Sequence, residues 1–191
     1  MPRKAAYHHG DLRAALLRAT TALVKRSGPE AVTMRAVAAR AGVSEAAPYH
    51  HFADKRELLA AAAAEGFRAL GAAMAAGAPG LVGLGEAWIG FALAERGYYR
   101  LILGAHVAEL DLASNPETRA AGVAARDLVL ERIRAELPGE DARRVFHLLW
   151  AQLHGTASLF VERELGADVT EADAIALARD GVARLVASFR T

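Results

Sequence analysis

The sequence predicts an all-α protein of about nine helices, with an N-terminal three-helix domain that contains a helix-turn-helix and a larger C-terminal helical domain. Apolar residues recur at helical spacings of three and four, as in Leu12, Leu16, Ala19 and Leu23. No segment has the two-residue alternation of a strand. Breaks rich in glycine and proline divide the chain into pieces of helical length, without an internal repeat.

The elements follow from start and stop signals. A first helix is expected over residues 12–26, with Asp11 as N-cap, and Ser27-Gly28-Pro29 ends it. Two short helices and a longer one over residues 55–73 come next, followed by a break at residues 75–80. Later helices are bounded by Ser114-Asn115-Pro116, Pro138-Gly139, Gly166 and the N-cap Thr170, and are expected over residues 81–96, 98–112, 117–136, 141–164 and 171–189.

Residues 33–52 have the pattern of a helix-turn-helix. Thr33 can N-cap a short helix with one apolar face, formed by Met34, Val37, Ala38 and Ala41. Gly42 tolerates the positive φ that a sharp stop requires. The helix after the motif opens at Asp54, with Glu57 three residues on in capping-box spacing.

The second helix of the motif is predicted to be short or to begin irregularly. Ser44 is expected as its N-cap, with Glu45 in the first turn, where the helix dipole favours an acid. Pro48, however, removes a backbone donor and crowds Ser44. It also disfavours α geometry at Ala47.

A family resemblance rests on these residues. With Tyr49, Phe52 and Lys55 at their present spacing, the segment resembles the N-terminal domain of the tetracycline-repressor (TetR) family of bacterial one-component regulators. The resemblance runs over residues 7–70, from Tyr7-His-His-Gly-Asp-Leu-Arg13 onward. Trp150-Ala-Gln-Leu-His154-Gly155 looks like the C-terminal motif of the WHG-type branch. The resemblance implies a DNA-binding domain over residues 1–55 and a ligand-binding and dimerisation domain over residues 56–191.

The expected DNA contacts follow from docking geometry and from the resemblance. The second helix enters the major groove N-terminal end first, so Glu45, Ala46 and Ala47 face base edges. The resemblance implies a base contact for Arg35 and phosphate contacts for His51 and Lys55. Glu45 as a first-turn acid is an equal alternative, Tyr49 could be core, and Lys55 could be a solvated charge. The full expected set is Thr33, Arg35, Ser44, Glu45, Ala46, Ala47, Tyr49, His50, His51 and Lys55.

The distribution of charge favours a protein whose N-terminal part binds the phosphates of DNA. Residues 1–60 carry ten Lys or Arg against five Asp or Glu, whereas residues 61–191 carry thirteen Lys or Arg against seventeen Asp or Glu.

The arm Tyr7-His-His-Gly10 is equally compatible with touching DNA and with covering the first helix. The absence of cysteine excludes disulfides and thiolate chemistry. No long uncharged apolar run or signal peptide is found, so a cytoplasmic protein without a membrane partner is expected.

A homodimer on a palindromic operator is expected, because one short helix reads only a few base pairs. The two DNA-binding domains of the dimer, called its heads below, must then present their recognition helices about 34–36 Å apart. The last two helices are the expected interface, because apolar residues surround the helix near Trp150 and small residues follow it. The expected interface set is Trp150, Leu153, His154, Ala157, Phe160, Val182, Leu185 and Val186.

The middle helices are left to form a pocket for an unknown small-molecule effector. Its candidate residues, any of which could instead be ordinary core, are Trp88, Phe91, Tyr98, Tyr99, Ile102, His106 and Trp150. His106 with Glu109, and His147 with His154, supply too few ligands for a metal, so no metal and no cofactor are expected. The favoured function is a ligand-responsive repressor. An enzyme is disfavoured because catalytic motifs are missing, and an effector-free architectural DNA binder is the alternative.

Overall fold

The computed structural model describes residues 9–104, 110–164 and 168–190. Within these ranges the chain forms eight α-helices and no strand, which confirms the all-α prediction. The helices are α1 (His9–Ser27), α2 (Met34–Ala41), α3 (Lys55–Ala76), α4 (Gly80–Ala94), α5 (Arg96–Leu103), α6 (Pro116–Glu136), α7 (Ala142–Val161) and α8 (Glu171–Ser188). Short 3₁₀ turns lie at Pro29–Ala31, Ala47–His50 and Leu112–Ser114.

Several helix starts are set by side-chain caps that were predicted. The hydroxyl of Thr33 accepts a hydrogen bond from the Ala36 amide at 3.0 Å, and the Asp54 carboxylate accepts one from the Glu57 amide at 2.9 Å. Thr170 and Asp173 form a reciprocal capping box at the start of α8. Gly42 ends α2 with φ of 71° and ψ of 32°, in the left-handed region that favours glycine.

Two C-terminal bounds differ from the prediction. The helix expected over residues 98–112 ends at Leu103, where the extended Gly104 interrupts it. The helix expected to reach residue 164 ends at Val161, and Arg163 then adopts a positive φ of 61°. Side-chain periodicity continues through both points, so a pattern of apolar residues could not show where the backbone leaves the helix.

α3 is the central helix of the core and packs against α1, α4, α5 and α6. By length and composition alone it is apolar enough to cross a membrane, with a mean hydropathy of 1.3. More than half of that segment is buried inside the protein, which is what a core helix shows.

α1 and α5 approach each other at Gly97. A Cβ at this position would lie 2.0 Å from the carbonyl oxygen of Val24, so only glycine allows the contact. Lys25 reinforces it through an ion pair with Glu95 at 2.9 Å and a position 5.1 Å from the ring centre of Tyr98. The first helix of the N-terminal unit is therefore held directly on the C-terminal helices.

α4, α7 and α8 form a second packed layer. The side chains of Leu153 in α7 and Val182 in α8 both lie against Gly85 in α4. All three residues are buried, so the last two helices complete the core of their own subunit.

Candidate nucleic-acid interface and ligand cleft

The recognition segment between α2 and α3 is a 3₁₀ turn rather than an α-helix. The amides of Ala47, Tyr49 and His51 bond to carbonyls three residues back, at 3.0, 3.2 and 3.0 Å. Pro48 lies buried inside this turn. The predicted short or irregular recognition helix is confirmed, for the predicted reason that proline cannot donate the bond that an α-helix needs there.

Ser44 does not cap this element. Ala46 occupies the N-cap position and no side chain caps the turn. The carbonyl of Ser44, rather than its hydroxyl, accepts the first bond of the turn. The N-cap prediction for Ser44 is thus wrong. A side-chain cap accepts hydrogen bonds from the unpaired amides of the first helical turn, whereas here the Ala47 amide already bonds to the backbone carbonyl of Ser44.

Arg35 and Glu45 form an exposed ion pair between α2 and the recognition turn. The Nε of Arg35 lies 3.2 Å from Oε1 of Glu45, and the two side chains are 81% and 72% exposed. Glu45 is not inside a helix, so its reading as a first-turn acid is wrong. Both side chains are therefore accessible to solvent, and the ion pair joins the start of α2 to the recognition turn.

The aromatic residues of the turn divide between surface and core. Tyr49 is 58% exposed, which overturns the alternative that it belongs to the core. Phe52 is buried, and the guanidinium carbon of Arg13 lies 5.3 Å from its ring centre. Ala46 and His50 are exposed, and Ala47 is half-buried.

His51 and Lys55, the two residues expected to contact phosphates, are both only partly exposed. His51 is half-buried and its Nε2 is shielded from solvent. The ammonium of Lys55, which is also half-buried, donates to the carbonyl of Glu30 at 3.4 Å. Lys55 is therefore not a simple solvated charge, and it would contact DNA from a position fixed by the preceding turn.

A cleft of about 690 Å³ opens between α3, α6 and α7. Its walls combine aromatic rings with two arginines, and its lining is Phe67, Asp111, Leu112, Thr118, Arg119, Gly122, Val123, Arg126, Phe146, His147 and Trp150. A smaller space of about 30 Å³ shares several of these residues and is lined by Trp88 as well. The volume is in the range of small-molecule sites.

Only part of the predicted pocket set lines this cleft. Trp150 lies in its wall and Trp88 in the smaller space, whereas His106 lies outside the described residues. Phe91, Tyr98, Tyr99 and Ile102 are buried in the core and line neither of these two spaces, so their assignment to a ligand pocket stays a prediction. Tyr98 and Ile102 instead pack on Gly66 of α3, because α5 crosses α3 at that point.

The α6 side of the cleft was not predicted from the sequence. Arg119, Gly122, Val123 and Arg126 recur at helical spacings of three and four, which places them on one face. A small residue between two arginines on such a face is a signal that could have indicated an opening. The expected pocket residues lie on the helices that contain aromatic residues, and the helix that begins at Pro116 contains none.

His154 links the cleft wall to α5. Its Nδ1 lies 3.0 Å from the hydroxyl of Tyr99, its ring stacks on Trp150 with ring centres 6.0 Å apart, and its carbonyl accepts from Tyr99 at 3.2 Å. Burial lowers the pKa of His154 below its usual value and raises the pKa of the Tyr99 phenol. The neutral imidazole is thus the favoured form in the folded protein.

Most of the predicted interface residues lie inside their own subunit. Leu153, Ala157, Phe160, Val182 and Val186 are all at most 9% exposed, which corrects their assignment to a surface between subunits. His154 and Leu185 are half-buried. The large apolar residues that are exposed on these two helices are Leu148 and Leu177, together with Trp150 at the cleft. The apolar residues around α7 therefore reflect contacts with α4, α6 and α8.

No group of three or more metal-ligating side chains is found within the described ranges. The N-terminal arm before His9 lies outside those ranges, so its expected role stays a prediction. The predicted division of the chain after residue 55 also stays a prediction, although α3 begins at that point.

Comparison with known proteins gives two family matches. Residues 16–62 match the model of bacterial regulatory proteins of the tetR family, and residues 81–185, more than half of the chain, match the model of a tetracyclin repressor-like C-terminal domain. No match was found among curated proteins. The assignment to the WHG-type branch stays a prediction.

Solved structures share the fold over nearly the whole chain. A protein of unknown function from Rhodococcus sp. RHA1 is 29% identical, with 95% of this chain and 98% of that chain covered and a TM-score of 0.72. The TetR family transcriptional regulator PfmR from Thermus thermophilus is 20% identical, with coverage of 90% and 97% and a TM-score of 0.64. The family consists of transcriptional regulators rather than enzymes. The chain belongs to the TetR family of bacterial DNA-binding transcriptional regulators.

Proposed function

We propose that the protein is a homodimeric repressor that binds a palindromic operator and leaves it when a small molecule occupies the cleft between α3, α6 and α7. The observation that carries the proposal is the path of α3. This helix begins directly after the recognition turn and contributes Phe67 to the cleft wall. A ligand in the cleft therefore touches the helix that follows the DNA-reading segment.

The coupling would run through the contact between α3 and α6. The hydroxyl of Thr118 in α6 donates to the carbonyl of Ala60 in α3, and Thr118 itself lines the cleft. A ligand that moves α6 would thus move α3 and change the separation of the two heads. Release requires that the ligand binds one separation more tightly than the other.

The dimer would form through the outer faces of α7 and α8. Leu148 and Leu177 are 41% and 50% exposed there, and Gln152 of α7 lies against Gly181 of α8. Two such helices from each subunit can form a four-helix bundle. Reading of a palindrome requires that both recognition turns of such a dimer stay free to meet successive major grooves.

The test is selection of duplexes from a random pool with the full-length protein, followed by affinity measurements at several salt concentrations. We expect a palindromic site whose binding weakens steeply with salt, because phosphate neutralisation releases counterions. Lys55→Ala should weaken all sequences alike and flatten the salt dependence. Arg134→Ala, at an exposed position of α6, is the matched control and should leave both unchanged.

Failure to enrich any duplex would overturn the proposal. Enrichment of a site without a palindrome would overturn the dimeric mode of reading. The architectural alternative predicts DNA binding that no cleft ligand alters, and the presence of a cleft of about 690 Å³ favours the ligand-responsive repressor over it.

A further inference from the structure

The cleft between α3, α6 and α7 has one strongly aromatic side. Phe67 projects from α3, and Phe146 and Trp150 come from α7 with their ring centres 5.8 Å apart. Trp150 also meets Trp88 edge-to-face at 5.5 Å. Such rings favour offset or edge contacts with another ring, which adds to the gain from burying apolar area.

The opposite side, on α6, is cationic. Arg119 and Arg126 both line the cleft, against one carboxylate, that of Asp111. The guanidinium of Arg126 is bound to Asp127 at 2.8 and 3.1 Å. The side chain of Arg119 is exposed, and its guanidinium has no ion pair or hydrogen bond with any residue in the described part of the chain. Among the described residues, the cleft therefore presents one cation without an ion-pair partner, across from its aromatic wall.

A second polar group lies in the lining of the smaller space of about 30 Å³ that shares residues with the cleft. The Nε1 of Trp88 is buried and has no acceptor among the described residues. Leaving a buried donor unsatisfied is costly, so a ligand atom that accepts from it would be favoured. Both unsatisfied groups near the cleft, Arg119 and Trp88, are donors, which favours a ligand that carries acceptors.

From these features we propose that the ligand of the cleft is an aromatic carboxylate. Its carboxylate binds the guanidinium of Arg119, with Arg126 adding positive charge, and its ring packs on Phe146 and Trp150. Arginine suits this role because its planar donors match a carboxylate. The inference deepens the proposed function, on which it rests for the cleft being the regulatory site.

The two tryptophans of the chain, Trp88 and Trp150, both lie at this site, so intrinsic fluorescence reports on it directly. The full-length protein is titrated with 4-phenylbutanoate, 4-phenylbutanamide and 4-phenylbutylamine, which differ only in the terminal group. We expect the carboxylate to bind about tenfold more tightly than the amide, as for a charge-assisted hydrogen bond, and the amine to bind most weakly.

Arg119→Gln should abolish the preference for the carboxylate over the amide. Arg134→Gln, on the same helix but outside the cleft lining, is the control and should retain it. Circular dichroism of both variants verifies the fold. Equal binding of carboxylate and amide by the native protein, a preference that survives Arg119→Gln, or no binding of any probe would each overturn the ligand class.

Operator binding is measured in parallel with the titrations. If a duplex is bound but the carboxylate is not preferred, the ligand class fails and the DNA-binding function stands. If no duplex is bound while the carboxylate is preferred, the proposed repressor function fails and the cleft assignment stands. The two failures are therefore distinguishable.

Discussion

At the scale of single residues, the main finding is that the two candidate base-reading side chains are paired in the absence of DNA. Arg35 and Glu45 are both largely exposed, and exposed ion pairs contribute only about 0–1 kcal/mol. DNA can therefore separate them at little cost. In the free protein, Glu45 would hold Arg35 near the recognition turn, and in the complex a base edge would replace Glu45 as the partner of Arg35.

Arg35→Ala should relax specificity at one or two base pairs of each half-site. The expected loss is about 1–3 kcal/mol if the guanidinium makes a bidentate contact with guanine. The measurement is a selection experiment that compares the preferred sequences of the native and variant proteins. Arg40→Ala, at an exposed position near the end of α2, is the control. An unchanged preference in the Arg35 variant would exclude base reading by this residue.

His154 makes the stability of the fold sensitive to pH in a defined direction. Burial lowers its pKa in the folded protein below the value of about 6.5 that it has when unfolded. As pH falls through 6.5, the unfolded chain binds a proton that the folded chain does not, so stability is lost. We expect His154→Gln to reduce the loss in unfolding free energy between pH 7.5 and pH 5.5.

The measurement is urea unfolding at the two pH values. His147→Gln is the matched control, because His147 is exposed on the same helix. A variant at His154 that loses as much stability as the native protein would show that another group carries the pH dependence.

At the scale of elements, the sequence predicted several helix starts and the irregular recognition segment, because these features depend on residues within one helical turn. Thr33, Asp54 and Thr170 were identified as caps because a cap depends on residues within one turn. Pro48 predicted an irregular recognition segment for the same reason. Apart from Trp150, the cleft lining was not predicted, because the placement of Phe67 opposite Gly122 depends on how α3 crosses α6. Spacing along one helix contains no information on that crossing.

The left-handed end of α2 gives a prediction with an internal control. Gly42→Ala should destabilise the protein by about 1–2 kcal/mol, because a Cβ is disfavoured at its φ of 71° although open space surrounds it. Gly90→Ala also places a Cβ in open space, but inside α4, and should be neutral or stabilise by up to about 1 kcal/mol. Urea unfolding compares them, and equal effects would argue against backbone strain at Gly42.

At the scale of the whole molecule, the same two helices serve the core of a subunit and a proposed dimer interface. Their sequence was interpreted as an interface because apolar residues surround α7. The structure shows that α4, α6 and α8 already cover most of that surface. Ala157, a natural site to test an interface from sequence, is fully buried in its own subunit. A charge there would disrupt the subunit itself and would not report on assembly.

The exposed leucines are the better test of the dimer. Leu148→Glu and Leu177→Glu each place a charge where we propose that two subunits meet, and an unpaired charge is costly to bury. We expect both variants to sediment as folded monomers. Operator affinity should then fall steeply, because two linked heads bind far more tightly than one. Val123→Glu, 40% exposed but on α6, is the control and should stay dimeric. If both leucine variants remain dimers with normal operator binding, the interface lies on another surface, and the separation of the heads must be set from there.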